Sequence, residues 1–331
     1  MQSKYHHLIP KTYLSSWANS SGTVKIQWND SKKTEPRNID SIAGINHYHS
    51  IMAGMPLCTK EDSDIFFQPL SGYNIFYGNR LLADTLEMNK YYSVFNEWNI
   101  IRSDGTLVSK KALKAQIGQI KIQDVENLWS QKYESKWNTV RQMIENKVAT
   151  GVANVPKFYF GYLMKFFVAL DWRSLASNKE FSDAFKTLCS NIIQLDKVEI
   201  PKDERDLPMF ETAADYMRHC LLLQYFRQFL NDTGTLYNIA KMYMRSTSFH
   251  FLVSNGNTKF ITSDNPCFVN EKTNGTKIGI LPITPEILLT QGKNPSNDDN
   301  YYITRIADRE VKQYNKVIQE HSEQFVAIDN G

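Results

Sequence analysis

The chain has 331 residues, of which 42% are apolar and 22% charged, and its formal net charge is +3. That balance supports a full hydrophobic core and bounds the chain to one large domain or two smaller ones. A charge this small gives no electrostatic argument for nucleic acid, because Lys and Arg are scattered rather than gathered into a patch. Aromatics make up 12%, which suits a large core and base stacking equally. The four cysteines, Cys58, Cys189, Cys220 and Cys267, form no C-x-x-C pair and read as reduced thiols of a cytoplasmic protein. The first twenty residues contain no apolar core of a signal peptide, so no secretory signal is expected.

In chain order, Pro10 precedes a short helix over residues 12–18. "TVKIQWN" (Thr23 to Asn29) alternates apolar and polar residues and reads as a strand. "NIDSIAGINHYHSI" suggests a helical turn and then a second strand, and residues 53–75 are rich in turn-formers. Asn79 to Ile101 has helical periodicity, ended by the turn "SDGT". Asp124 to Asn146 is expected as a long amphipathic helix with Asp124 at its N-cap. "FYFGYLMKFFVAL" (Phe158 to Leu170) carries Lys165 and falls short of the ~20 residues a membrane span needs; it reads as part of a buried helix reaching Ala176. Helices are expected at Phe181 to Leu195, Met209 to Asp232 and Leu236 to Arg245. "SFHFLVSNG", "TKFITSDNPCFVN" and "KIGILPITPEILLTQG" then read as strands, and Arg309 to Gln324 as a closing helix. The order is a β-rich start, a helical middle and a β-rich end. It predicts one α+β domain whose small mixed or antiparallel sheet is built from strands of both termini.

Four constellations carry chemistry. In "KYHHLIPKTYLSSW", Pro10 sets an extended segment in which His6 and His7 point opposite ways; a neutral imidazole there suits a general base, a metal ligand or a terminal anchor. In "FITSDNPCFV" (Phe260 to Val269) a polar turn ends an apolar strand, where Asp264 can orient a histidine, ligate a metal or bond its own backbone. Asp171-Trp172-Arg173 closes the buried helix, where Arg173 suits either the helix dipole or an anion. Asn46-His47-Tyr48-His49 contains an H-x-H that on a strand would place both imidazoles on one face, but no acidic or Cys ligand stands at a companion spacing. An HNH nuclease pattern fails because Asn46 and His47 come too late, and a restriction-type core fails because Glu271-Lys272 lacks the spacer. Phosphate-binding Gly loops, G-x-S-x-G and H-E-x-x-H are absent from the sequence.

Taken together these pieces resemble the DUF4238 family, a domain of unknown function. Its members open on a pattern like H-H-x-x-P-x-x-Y-L-x-x-F/W, matched here by His6, His7, Pro10, Tyr13, Leu14 and Trp17. Arg173 in "ALDWRSL" follows, then Thr262, Ser263, Asp264, Asn265 and Pro266, then "LPITP" (Leu281 to Pro285) and Asn315 in the closing helix. "DWRSL" lacks the proline of the family's Q-x-x-R-T/S-P, and "LPITP" departs from P-L-S-P in its middle. The resemblance implies one domain over residues 1–331 with a divergent insert at about 50–120. It implies no assigned reaction; the family is widespread in bacteria, and such orphan domains turn up among mobile and phage-defence genes.

The expectation is therefore a phosphodiester-directed hydrolase, a nuclease-type effector, in which His7 acts as general acid/base beside Asp264. His6, Arg173, Ser263, Asn265 and Asn315 would bind substrate, and His7 with Asp264 could hold a divalent metal. Nucleic acid is a candidate partner and a membrane is not. The alternative is a non-catalytic module that binds a ligand, nucleic acid or partner chain.

Overall fold

The computed structural model describes residues 4–175, 194–202, 205, 207–271, 274–293 and 299–328. The fold is mixed α+β, and the chain divides into two compact units. One unit comprises residues 1–46, 128–194 and 228–331; the other comprises residues 47–127 and 195–227. The expected insert at 50–120 falls within the second.

In the first unit, N- and C-terminal strands interleave in one antiparallel sheet, in the order Thr262–Ser263, Phe325–Ile328, Thr23–Trp28, Thr34–Asn38. Val24 and Ile26 are fully buried on one face of "TVKIQW" while Lys25 points to solvent, the period-2 pattern that fixes register. A six-stranded sheet runs Phe268–Glu271, Lys277–Thr284, Ile287–Lys293, Thr247–Ser254, Asn300–Ile306, Asn154–Pro156. Its neighbours are antiparallel except Thr247–Ser254 against Asn300–Ile306. The helix Phe160–Arg173 buries Leu163, Met164 and Phe166 to Leu170, as a run apolar nearly all round must.

A two-stranded ribbon pairs Tyr5–His7 with Gly44–Asn46, setting His6 opposite Ile45 and His7 opposite Gly44. The pairing is close. A Cβ at Gly44 would lie 2.5 Å from the Tyr5 ring and 2.8 Å from the His6 carbonyl oxygen, so only glycine admits the strand at this spacing.

The second unit holds a three-stranded sheet, Arg80–Leu81, Asn74–Tyr77, Trp98–Ile101, over a core that includes Phe66, Phe67, Phe95 and Trp98. The single helix expected over Asn79 to Ile101 is here a strand, the helix Thr85–Lys90, a 3-10 turn and a second strand. The Asp84 side chain accepts the Glu87 amide and starts the helix late, and Ile100 and Ile101 pair with Ile75 and Asn74. Apolar spacing over that stretch fits both periods, and tertiary pairing decides between them.

The long helix expected from Asp124 forms as Asp124–Trp129 and Ser135–Ala149 with a π turn at Ser130–Glu134 between them. The helices expected at Met209 to Asp232, Leu236 to Arg245 and Arg309 to Gln324 are Ala213–Leu230, Gly234–Ser246 and Asp308–Glu320. Of the helix expected at Phe181 to Leu195, residues 181–193 lie outside the described residues, as does Cys189, and Leu195 opens a 3-10 turn. Cys58, Cys220 and Cys267 are buried free thiols. No helix of the described residues is long and apolar enough to cross a membrane.

Candidate functional site

The N-terminal strand presents its two histidines differently. His6 is buried, whereas His7 is half-buried with its ring edge-on to Tyr5 at 5.0 Å. Alternation along an extended strand sends neighbouring side chains to opposite faces. Arg173, the last residue of its helix, is buried to 1% exposure. Its guanidinium donates to the His7 carbonyl oxygen at 2.5 Å and stands 4.4 Å over the Trp129 ring. A cation held on an aromatic face and a carbonyl thus fixes the strand that carries both histidines.

The TSDNP turn is built to hold chain. Asp264 accepts the backbone N–H of Glu323 at 3.0 Å and of Gln324 at 2.8 Å. Asn265 donates to the His321 carbonyl, and the Ser263 hydroxyl donates to the Asn265 carbonyl. Together they clasp the segment that leaves the helix Asp308–Glu320. Burial pushes the Asp264 carboxyl up to about 6, overriding the backbone N–H donors that favour its charged form. Asn315 accepts the Ile261 N–H and donates to the Lys259 carbonyl, which ties the same helix to the strand end. Tyr13 and Trp17 likewise anchor. The Tyr13 hydroxyl meets the Thr262 hydroxyl and the Pro282 carbonyl at 2.8 Å each, and the Trp17 indole N–H donates to the Phe260 carbonyl.

The H-x-H of the sequence is no strand. His47 takes a left-handed backbone with φ 58°, ending the strand at Asn46 and turning the chain so that His49 is fully buried. Ile51 then bridges Ile122 in antiparallel fashion, which brings residues 47–51 alongside the start of the helix Asp124–Trp129. His49 Nδ1 there meets the Glu126 carboxylate. The helix start is itself pinned: Arg227 Nε donates to Asp124 at 2.6 Å, and its terminal nitrogens take both oxygens of Asp62 at 2.5 and 2.8 Å. The His49 ring packs edge-on to Tyr48 and Phe226. His219 is buried against Tyr48 and Phe210, and burial, with His49 nearby, pulls its imidazole down to about 3, so it is neutral at physiological pH.

His49 and Glu126 both belong to the second unit, and an imidazole and a carboxylate are each side chains that coordinate metal ions.

The sequence offers His7 with Asp264 as a candidate metal pair. Within the second unit His49 takes its acidic neighbour from a helix 77 residues further on. No local spacing signals Glu126; the H-x-H was visible, its partner was not.

A family model described as a protein of unknown function, DUF4238, matches residues 5–331. No curated protein matches the chain, and no solved structure does.

Proposed function

We propose that this chain, which belongs to the DUF4238 family, is a divalent-metal-dependent hydrolase in which His49 and Glu126 bind the metal and whose substrate is a phosphodiester. One observation supports the reading above the others: inside one compact unit the fully buried His49 imidazole meets the Glu126 carboxylate among aromatic rings. Buried groups of this kind are ordinarily paired or metal-bound.

A divalent ion held there would supply a Lewis acid and a nucleophilic water near neutral pH. Attack of a water oxygen on phosphorus would break the ester P–O bond, with a proton passed to the leaving oxygen. His7 is the proposed proton carrier, and Asp264 the group that fixes its surroundings. Arg173, Ser263, Asn265 and Asn315 act in this reading by holding backbone groups. Nucleic acid, as the target of a nuclease-type defence effector, is the substrate proposed within that class.

The test is metal content and hydrolysis of a simple phosphodiester, bis(p-nitrophenyl) phosphate, by the purified chain. The wild type is expected to carry metal and to lose turnover in chelator. Glu126→Gln removes an anionic ligand and is expected to weaken metal binding by more than about 100-fold, beyond what loss of an outer partner costs. His7→Ala is expected to keep the metal and lose about 10²–10⁴ of turnover. Wild-type protein that neither binds nor is stabilised by Zn²⁺, Mn²⁺ or Fe²⁺ would defeat the reading. A non-catalytic binding module is the second reading, favoured by the engagement of Asp264 and Asn265 with backbone. It predicts bound metal without turnover on any phosphodiester.

A further inference from the structure

A cavity lies wholly within the first compact unit, and neither His49 nor Glu126 lines it. Its volume is ≈ 530 Å³, inside the range of small-molecule sites. Lys132, Lys136 and Lys165 line it against a single carboxylate, Asp232. Lys165 Nζ is 2.6 Å from Asp232 and 5.0 Å from the centre of the Tyr237 ring. Lys132 donates to the Leu230 carbonyl and stands 3.9 Å from the same Asp232 oxygen pair. Three ammonium groups facing one carboxylate leave a positive cavity with an aromatic wall.

The backbone around it departs from regular geometry in three separate elements. Lys132 and Tyr133 sit in the π turn Ser130–Glu134, a distortion that occurs mostly as a single turn and often at functional sites. Asp232 has φ 59°, and Tyr159, two residues before the lining Gly161, has φ 46°. Non-glycine residues in the left-handed region cost free energy and persist where the surroundings hold them. The π turn also frees the Tyr133 carbonyl, which accepts the Tyr162 hydroxyl at 2.8 Å. Gly161 borders open space: a Cβ there would meet nothing within 4 Å.

We propose that this cavity binds a nucleoside polyphosphate, its phosphates on Lys132, Lys136 and Lys165 and its base against Tyr237. Lysines act as point charges for phosphate, and the absence of arginine from the lining argues against a bidentate carboxylate site. The Tyr237 face, already flanked by Lys165 and Lys241, gives a planar base an aromatic surface next to the cations.

The experiment is calorimetric titration of ATP into the full chain in chelator, so that a metal at the other site contributes nothing. Wild-type binding is expected, weakened about tenfold or more in Lys136→Glu, the loss expected when a charged hydrogen-bond partner goes. Gly161→Trp, which fills the cavity from an unstrained helical position, is expected to abolish binding, while Gly161→Ala binds as wild type. Melting curves of both glycine variants show whether the fold is kept. Absence of ATP binding to the wild type, or unchanged binding in a folded Gly161→Trp, overturns the proposal. So does inorganic triphosphate binding as tightly as ATP, since Tyr237 would then recognise no base. Tight binding of a single-stranded oligonucleotide without ATP binding would make the cavity part of a nucleic-acid surface and overturn it too.

Discussion

Glu126 and Asp264 are both largely enclosed carboxylates, and they are set to different work. Glu126 meets an imidazole in a wall of aromatic rings. Asp264 meets two backbone N–H groups and closes a turn. The more conspicuous sequence, TSDNP, thus belongs to the carboxylate that holds chain, and the less conspicuous one to the carboxylate that meets an imidazole. A polar run at a strand end draws attention because it breaks an apolar pattern, but the same break is what a clasp requires.

The largest effect that sharpens this contrast concerns the support of Glu126. Arg227→Met leaves Asp62 and Asp124 without their cation, and breaking such a pair by removing one partner costs about 3 kcal/mol; urea unfolding should show it, together with reduced metal content. Next, Asp264→Ala leaves the Glu323 and Gln324 amides unmet and is expected to cost about 2 kcal/mol while metal content stays at the wild-type level. Glu126→Gln should do the reverse, keeping stability and losing metal. Equal loss of metal in the Asp264 and Glu126 variants would erase the contrast. Tyr13→Phe removes the hydroxyl shared by Thr262 and Pro282 and should cost about 1 kcal/mol, again without touching metal content.

The smallest effect is a pH slope. Asp264 is raised to about 6 from an ordinary 3.8, so the folded chain binds its proton more tightly than the unfolded chain does. That contribution to stability is complete below about pH 4 and is lost as pH rises through about 6. Unfolding free energies at about pH 4.5 and 7 should therefore differ more in the wild type than in Asp264→Asn. An equal slope in both would remove the buried-acid description of Asp264.

Much of the fold was legible because it rests on local pattern. "TVKIQW" alternates and is a strand; "FGYLMKFFVAL" is apolar all round and is a buried helix; interleaving of the two termini follows from strand groups flanking helices. Asn79 to Ile101 was not legible, since its apolar spacing serves either period and only the neighbouring strand Asn74–Tyr77 decides. The site divides in the same way. His6, His7, Arg173 and the TSDNP turn stood out in the sequence, and their side-chain types are informative. The meeting of His49 with Glu126 depends on a left-handed turn at His47 and a single bridge between Ile51 and Ile122, and neither leaves a recurring spacing behind. His6 and His7 were visible together, but which one faces inward is set by the register against Ile45 and Gly44.

That register gives Gly44 a consequence of its own. With no room for a β-carbon between it and the facing strand, Gly44 acts as a gauge block that sets how closely the strand carrying His6 and His7 can approach. Gly44→Ala alters neither histidine, yet it pushes away the strand on which both ride. The placement of two imidazoles is thereby tied to a residue that has no side chain of its own.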